Sequence, residues 1–154
     1  MIKINVTNMV TFVKKHNLLF YPLLIHVLTK TLHQSGVKDI VPAYLSISEN
    51  GALSLLKQDF DEDFEVFFQK YVQTCYKHHE TTDFLPQGAL NDNIVLFSYL
   101  PEEAIVDKIN PNMPLILISP LEESANSVNL YLQVKNINID DKFVSIFDGL
   151  RSRF

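Results

Sequence analysis

The segment from Asp59 to His78 constrains the fold most, because its apolar residues recur at helical spacing. These residues stand three or four positions apart and are mostly aromatic: Phe60, Phe64, Phe67, Phe68, Tyr71 and Cys75. Acidic residues gather at its beginning, where the positive end of a helix favours them: Asp59, Asp61, Glu62 and Asp63. The pattern predicts the longest helix of the chain, with an aromatic face that must pack against another apolar layer.

Three further helices are expected. Thr7 or Asn8 can cap the first, whose apolar face holds Met9, Val10, Phe12 and Val13. Pro22 suits the first turn of a second helix, which carries Leu23, Leu24, Val27 and Leu28. Both patterns predict amphipathic helices, and residues Asp141 to Leu150 predict a closing one.

Strand signals stand between these helices. Asn50-Gly51 separates apolar residues Val41 to Ile47 from Ala52 to Leu56 and predicts a β-hairpin, because both central residues of such a turn need positive φ. Three later segments also predict strands: Ile94 to Tyr99, Leu115 to Ser119 and Val128 to Ile137. The expected fold class is α+β, a two-layer sandwich in which helices cover a sheet.

Composition and charge limit the classes of protein to which the chain can belong. The chain has 154 residues, of which 47% are apolar and 20% charged, which fits a single globular domain over residues 1–154. A net charge of −5 leaves no basic field for nucleic acid. No apolar run reaches the roughly 20 residues that cross a bilayer, and the N-terminus lacks a signal-peptide pattern. With Cys75 as the single cysteine, no disulfide framework is expected, and the default location is the cytoplasm.

Five segments, taken in order, resemble one known family. They are residues 6–15, the triplet Phe20-Tyr21-Pro22, the acidic and aromatic run 61–71, the turn 84–93, and Phe97-Ser98-Tyr99-Leu100-Pro101. The series is similar to the chloramphenicol acetyltransferase family of CoA-dependent acyltransferases. The resemblance implies that family's fold, a mixed β-sheet covered by helices, and an assembly of trimers with each active site between subunits.

The family's active-site strand resembles residues 132–144, but its histidines are missing. Gln133, Val134, Phe143 and Val144 agree with the motif, as does Asp140. Lys135 and Asn136 stand where the resemblance places two histidines. The resemblance implies that the second histidine, at the position of Asn136, is the general base that takes a proton from the acceptor hydroxyl.

A carboxamide such as Asn136 has no proton-accepting state near neutral pH, so the general-base contribution of about 10²–10⁴ should be lost. Lys135 could replace it only if burial strongly lowered its pKa, and alternation along the strand points it to the other sheet face. In the family, this aspartate pairs with an arginine of the N-terminal segment. That segment is expected to be missing here, so Asp140 is expected to act in a turn or helix cap. Asp107 falls at the family's oxyanion-stabilising serine, where a negative charge would oppose catalysis.

These losses together predict a pseudoenzyme that acts as a binding or interaction module. It is expected to need no cofactor and to form a homotrimer or a mixed oligomer with a related subunit. A degraded remnant without selected activity is a further alternative.

A second motif offers a rival hypothesis. His78, His79 and Asp83 reproduce the His-His-x-x-x-Asp spacing of CoA-dependent acyltransferases. The pair ends a predicted helix instead of following a strand, which fits histidines at the negative end of a helix dipole. If His78-His79 or Lys135 supplies a relocated base, the chain would be an active O-acetyltransferase that uses acetyl-CoA on an unknown acceptor.

Other candidate sites are weaker. Aromatic residues that could line a small ligand pocket are Phe20, Tyr21, Phe97 and Tyr99, with core packing as the alternative. No metal site is expected, because His26 and His33 lack carboxylate or cysteine neighbours at ligand spacing. Cys75 lies on the apolar stripe of its helix, where a buried, inert thiol is the usual case.

Overall fold

One mixed β-sheet runs through the molecule. The computed structural model describes residues 1–37, 41–47, 53–57, 63–80, 94–99 and 111–154. The strands are β1 (Ile2–Asn5), β2 (Val41–Ile47), β3 (Leu53–Lys57), β4 (Ile94–Tyr99), β5 (Leu115–Ile118), β6 (Glu122–Glu123) and β7 (Val128–Lys135). Their order is β1-β7-β5-β4-β2-β3, and β6 also pairs with β7. The pairs β2–β4 and β4–β5 are parallel and the others antiparallel, so the sheet is mixed.

Helices pack against the sheet. Within the described ranges they are α1 (Thr7–His16), α2 (Phe20–Gln34), α3 (Phe64–Glu80) and α4 (Lys142–Arg151). Alternation in β7 brings Leu130 and Leu132 into the same buried core as Ile4 of β1 and Phe147 of α4. The predicted α+β fold, a sheet covered by helices, is confirmed.

Helix α2 is more deeply buried than the sequence pattern predicted. Every residue from Pro22 to Thr29 is buried, because the helix packs against α1, α3 and α4. Two buried threonines satisfy their hydroxyls inside the helix: Thr29 donates to the Ile25 carbonyl and Thr31 to the Val27 carbonyl, each at 2.7 Å. The expectation of an amphipathic α2 was therefore wrong over this stretch.

The N-terminal region differs from the prediction in two ways. Strand β1, which the sequence did not indicate, precedes α1 and pairs antiparallel with β7, with Ile4 opposite Leu130. Neither Thr7 nor Asn8 caps α1. Instead, the side-chain oxygen of Asn5 accepts a hydrogen bond of 3.0 Å from the Thr7 amide. The Thr7 hydroxyl is used elsewhere, since it accepts a hydrogen bond of 2.9 Å from the Val128 amide of β7.

The predicted hairpin is confirmed in its strands. Ile47 pairs with Leu53 and Tyr44 with Leu56 in an antiparallel register, while Asn50-Gly51 lies outside the described residues. Helix α3 begins at Phe64, later than predicted, and the acidic residues before Asp63 also lie outside the described part of the chain.

Candidate functional site

The end of β7 holds the positions where the sequence resemblance places the family's histidine motif: Lys135, Asn136 and, four residues later, Asp140. Lys135 is the last residue of the strand and pairs with Leu115 of β5. Asn136 follows with a φ of 59°, in the left-handed region where asparagine is one of the few well-tolerated side chains. The strand therefore ends in a sharp turn at the position where the sequence resemblance places the catalytic base.

The side chain of Asn136 is committed to the backbone of a neighbouring segment. Its amide nitrogen donates two hydrogen bonds, each of 3.0 Å, to the carbonyl oxygens of Pro111 and Met113. A carboxamide nitrogen carries two hydrogens, so both are used. These bonds fasten the end of β7 to the residues that lead into β5, and they give Asn136 a structural task at this position.

Lys135 belongs to the sheet face opposite the helices. It is half-buried, as is Gln133 on the same face of β7, and it has polar or electrostatic partners of its own. Leu115 and Leu117, their register partners in β5, are almost fully buried. Lys135 thus lies beside apolar side chains and on the other side of the strand from Leu132.

Asp140 lies in the turn just before the closing helix α4. One carboxylate oxygen accepts a hydrogen bond of 2.9 Å from the Lys142 amide, and its carbonyl accepts one of 3.2 Å from the Phe143 amide. This is the geometry of a turn that satisfies free backbone donors before a helix. The carboxylate is exposed and serves α4 locally.

The rival histidine motif is only partly described. His78 and His79 lie in the last turn of α3, which ends at Glu80, as expected from the sequence. Their side chains, together with Asp83, lie outside the described residues. Asp107, the residue at the expected oxyanion position, also falls outside them. A relocated base at His78-His79 stays a prediction.

The four aromatic pocket candidates lie in different environments. Phe97 has no exposed surface and packs in the core. Phe20 and Tyr21 are half-buried at the start of α2, where their rings meet edge to face with centroids 5.3 Å apart. Burial raises the pKa of the Tyr21 hydroxyl. The side chain of Tyr99 lies outside the described residues, so a shared pocket stays a prediction.

One unusual titratable residue was not predicted. His26 of α2 is only 5% exposed, and its ring lies 5.4 Å from the Phe64 ring and 6.0 Å from the Phe67 ring between centroids. Its pKa is lowered to about 4, mainly by burial; Lys30 adds to this effect and Asp63 partly opposes it. The sequence signal that could have indicated this burial is the position of His26 in the middle of the apolar run of α2.

The described residues contain no cluster of ligands suited to a metal ion. Among the described helices, none is both long and apolar enough to cross a membrane.

Comparison with known sequences identifies the family. A sequence model described as chloramphenicol acetyltransferase matches residues 1–113, which is most of the chain. The chain belongs to the chloramphenicol acetyltransferase family. The matched range ends at Met113, before β5, so the resemblance of residues 132–144 to the active-site strand stands outside it. No curated protein sequence matches the chain significantly.

Solved structures extend the fold match to the whole chain. A chloramphenicol acetyltransferase is similar over 99% of this chain and 85% of its own, with a TM-score of 0.61 and 14% identity. A probable dihydrolipoamide acetyltransferase from Listeria monocytogenes is similar over 99% of this chain and 82% of its own, with a TM-score of 0.62 and 12% identity. At these identities the structures establish the acyltransferase fold.

Proposed function

We propose that this chain is a non-catalytic member of the chloramphenicol acetyltransferase family that acts as a binding or interaction module. The observation that carries the proposal is the state of Asn136. It stands at the place of the expected base, and its amide nitrogen is held by the carbonyls of Pro111 and Met113.

The chemistry of acetyl transfer explains why this matters. A hydroxyl acceptor attacks a thioester well only if a side chain takes its proton, and the side chain must titrate near the working pH. Asn136 has no such state. An amide that is locked to two carbonyls is also a poor candidate for moving toward a substrate.

Neighbouring side chains do not replace the base. Lys135 leaves the strand on the face opposite Leu132 and is flanked in register by the buried Leu115. The Asp140 carboxylate is engaged with the Lys142 amide at the start of α4. These contacts support a non-catalytic strand end.

An acetyl-transfer assay tests the proposal. Release of free CoA from acetyl-CoA would be followed with a thiol reagent, with chloramphenicol and a panel of alcohols as acceptors. A reaction without acceptor corrects for the thiol of Cys75. We expect no acceptor-dependent release. Acceptor-dependent turnover that disappears in H78A/H79A or in K135A would instead establish an active O-acetyltransferase with a relocated base.

Calorimetric titration with acetyl-CoA complements the assay, because the donor can be tested without knowing the acceptor. Micromolar binding without turnover would make the module a CoA-binding protein. No heat up to millimolar donor would direct the search to protein partners.

The assembly is part of the same proposal. Family membership supports a homotrimer, or a mixed oligomer with a related active subunit. Sedimentation equilibrium of the purified chain should give three times the monomer mass. A monomer that forms a larger species only when a family member with the intact histidine motif is added would favour the mixed assembly.

A further inference from the structure

A hollow of about 450 Å³ lies between α1 and the first turns of α3. Its walls are mainly apolar: Phe12 belongs to α1, Leu18 follows the end of that helix, and Phe64 and Phe68 belong to α3. The volume is within the usual range for small-ligand pockets, which are mostly apolar with a few polar groups. No residue of this hollow belongs to the end of β7.

The aromatic rings that line the hollow pack against other rings and against the core. The Phe12 ring lies 5.2 Å from the Phe154 ring and 4.4 Å from the ring of His16, which also lines the hollow, between centroids. On the other side, the Phe64 ring lies 5.4 Å from the His26 ring. Phe12 and Phe64 also pack against the hydrophobic core. A ligand would therefore meet walls that are already in place, which reduces the entropy cost of binding.

The turn that follows α1 is also fixed by a hydrogen bond. Asn17 ends α1 with a φ of 53°, and the Leu18 amide donates a hydrogen bond of 2.9 Å to the Val13 carbonyl. This helix-ending turn places Leu18, in the α1–α2 connection, among the residues that line the hollow.

The polar lining favours a cation. Within the described part of the chain, the polar lining residues are His16, Glu65 and Gln69, and only Glu65 carries a carboxylate. Gln69 lies one helical turn after Glu65 on the same face of α3. Aromatic faces attract cations as well, through the negative side of the ring quadrupole. Lys15 lines a second hollow of about 260 Å³, which shares Phe12 and His16 with the first. Lys15 would repel a cation there, so the charge should lie near Glu65.

We propose that this hollow binds a small aromatic ammonium compound, with its ring between Phe12 and Phe68 and its ammonium group beside Glu65. The site does not depend on the absence of catalysis, because none of its residues takes part in the strand end around Asn136. Binding should therefore be the same in wild type and in N136G.

Tryptamine is a suitable probe, because the chain contains no tryptophan and all indole fluorescence comes from the ligand. Anisotropy titrations would compare it with indole-3-propionate, which carries the same ring and the opposite charge. We expect tryptamine to bind roughly three- to tenfold more tightly. Equal affinities, or tighter binding of the carboxylate, would overturn the proposal.

Two variants locate the site. E65Q should remove most of the preference for tryptamine, and F68A should weaken both probes about fivefold or more. V66A is the matched control, since Val66 lies in the same turn of α3 and is 47% exposed. If F68A unfolds, F68L tests the same wall with less loss of volume.

Two results would contradict this assignment. Unchanged tryptamine binding in both E65Q and F68A would show that the probe binds elsewhere. No tryptamine binding together with a change of oligomeric state in F68A would show that a second copy of the chain covers the hollow.

Discussion

The amide nitrogen of Asn136 lies 3.0 Å from the carbonyl oxygen of Met113, so the residue after β7 is tied to the residue two positions before β5. A second bond of the same length reaches Pro111. Asn136 thus has a structural role that does not depend on acetyl transfer.

Substitution of Asn136 by alanine should lower the free energy of unfolding by about 2–3 kcal/mol. It removes two hydrogen bonds and places a Cβ-bearing residue without a polar side chain at positive φ. N136G loses the same bonds but tolerates the backbone, so it should cost about 1 kcal/mol less. Urea denaturation measures both. N138A, at an exposed neighbouring asparagine, is the control and should stay within about 0.5 kcal/mol of wild type.

Equal loss of stability in N136A and N136G would show that the left-handed backbone carries no cost here. No loss in either variant would contradict the structural role of the two amide bonds and would weaken the proposed function.

The buried His26 should make stability depend on pH. Its pKa is about 4 in the folded chain and near the ordinary 6.5 when unfolded. The unfolded chain therefore binds more protons between these values, and stability rises with pH from about 4 to 6.5. The resulting difference in the free energy of unfolding is at most about 3.4 kcal/mol, and this stability is lost as the pH falls through the window.

Replacement of His26 by phenylalanine removes the titrating group and should flatten the pH dependence of unfolding in this window. V72A, at an exposed and non-titrating position of α3, should leave the slope unchanged. Denaturation midpoints at a series of pH values give the comparison, and equal slopes in wild type and H26F would rule out His26 as the source.

Thr7 should stabilise the junction between α1 and β7 through its hydroxyl. The Val128 amide donates to this oxygen at 2.9 Å, and the oxygen lies 3.5 Å from the Val128 carbonyl, to which it donates. T7V keeps the shape but leaves the amide without its partner, at a cost of about 1–2 kcal/mol. T7S retains the hydroxyl and should be close to wild type by urea denaturation. Similar losses in both variants would point to the methyl group instead.

A chain that ends at Met113 should fail to fold, although it contains the whole range matched by the family model. It lacks β5 and β7, and β7 is the strand that pairs with β1, β5 and β6. The core would also lose Phe143 and Phe147 of α4. Circular dichroism and amide NMR spectra should show an unfolded chain, and a cooperative unfolding transition would disprove this prediction.

The sequence predicted most helices and strands because their periodicity is a local property. Strand β4 matches its predicted range of Ile94 to Tyr99, and the β2–β3 pairing follows from the Asn50-Gly51 signal. Strand β1 was missed because four residues carry little pattern, and its partner β7 lies far along the chain. The cap of α1 was mispredicted for a related reason: the hydroxyl of Thr7 is taken by Val128, a contact that no local motif shows.

For the site, the absence of an imidazole at Asn136 could be read directly from the residue type. Its bonds to Pro111 and Met113 could not, because they depend on how β5 and β7 align. The same holds for the hollow between α1 and α3, whose walls come from separate parts of the sequence.

The pairing of β1 with β7 also has a consequence during synthesis on the ribosome. Asn5 of β1 pairs with Asn129 of β7, so the first strand emerges long before its partner exists. Loop closure over such a distance slows folding, and an unpaired strand is open to wrong contacts meanwhile. The nascent chain should therefore complete its sheet only after the last strand has left the exit tunnel, and chaperones that shield exposed strand edges should matter most in that interval.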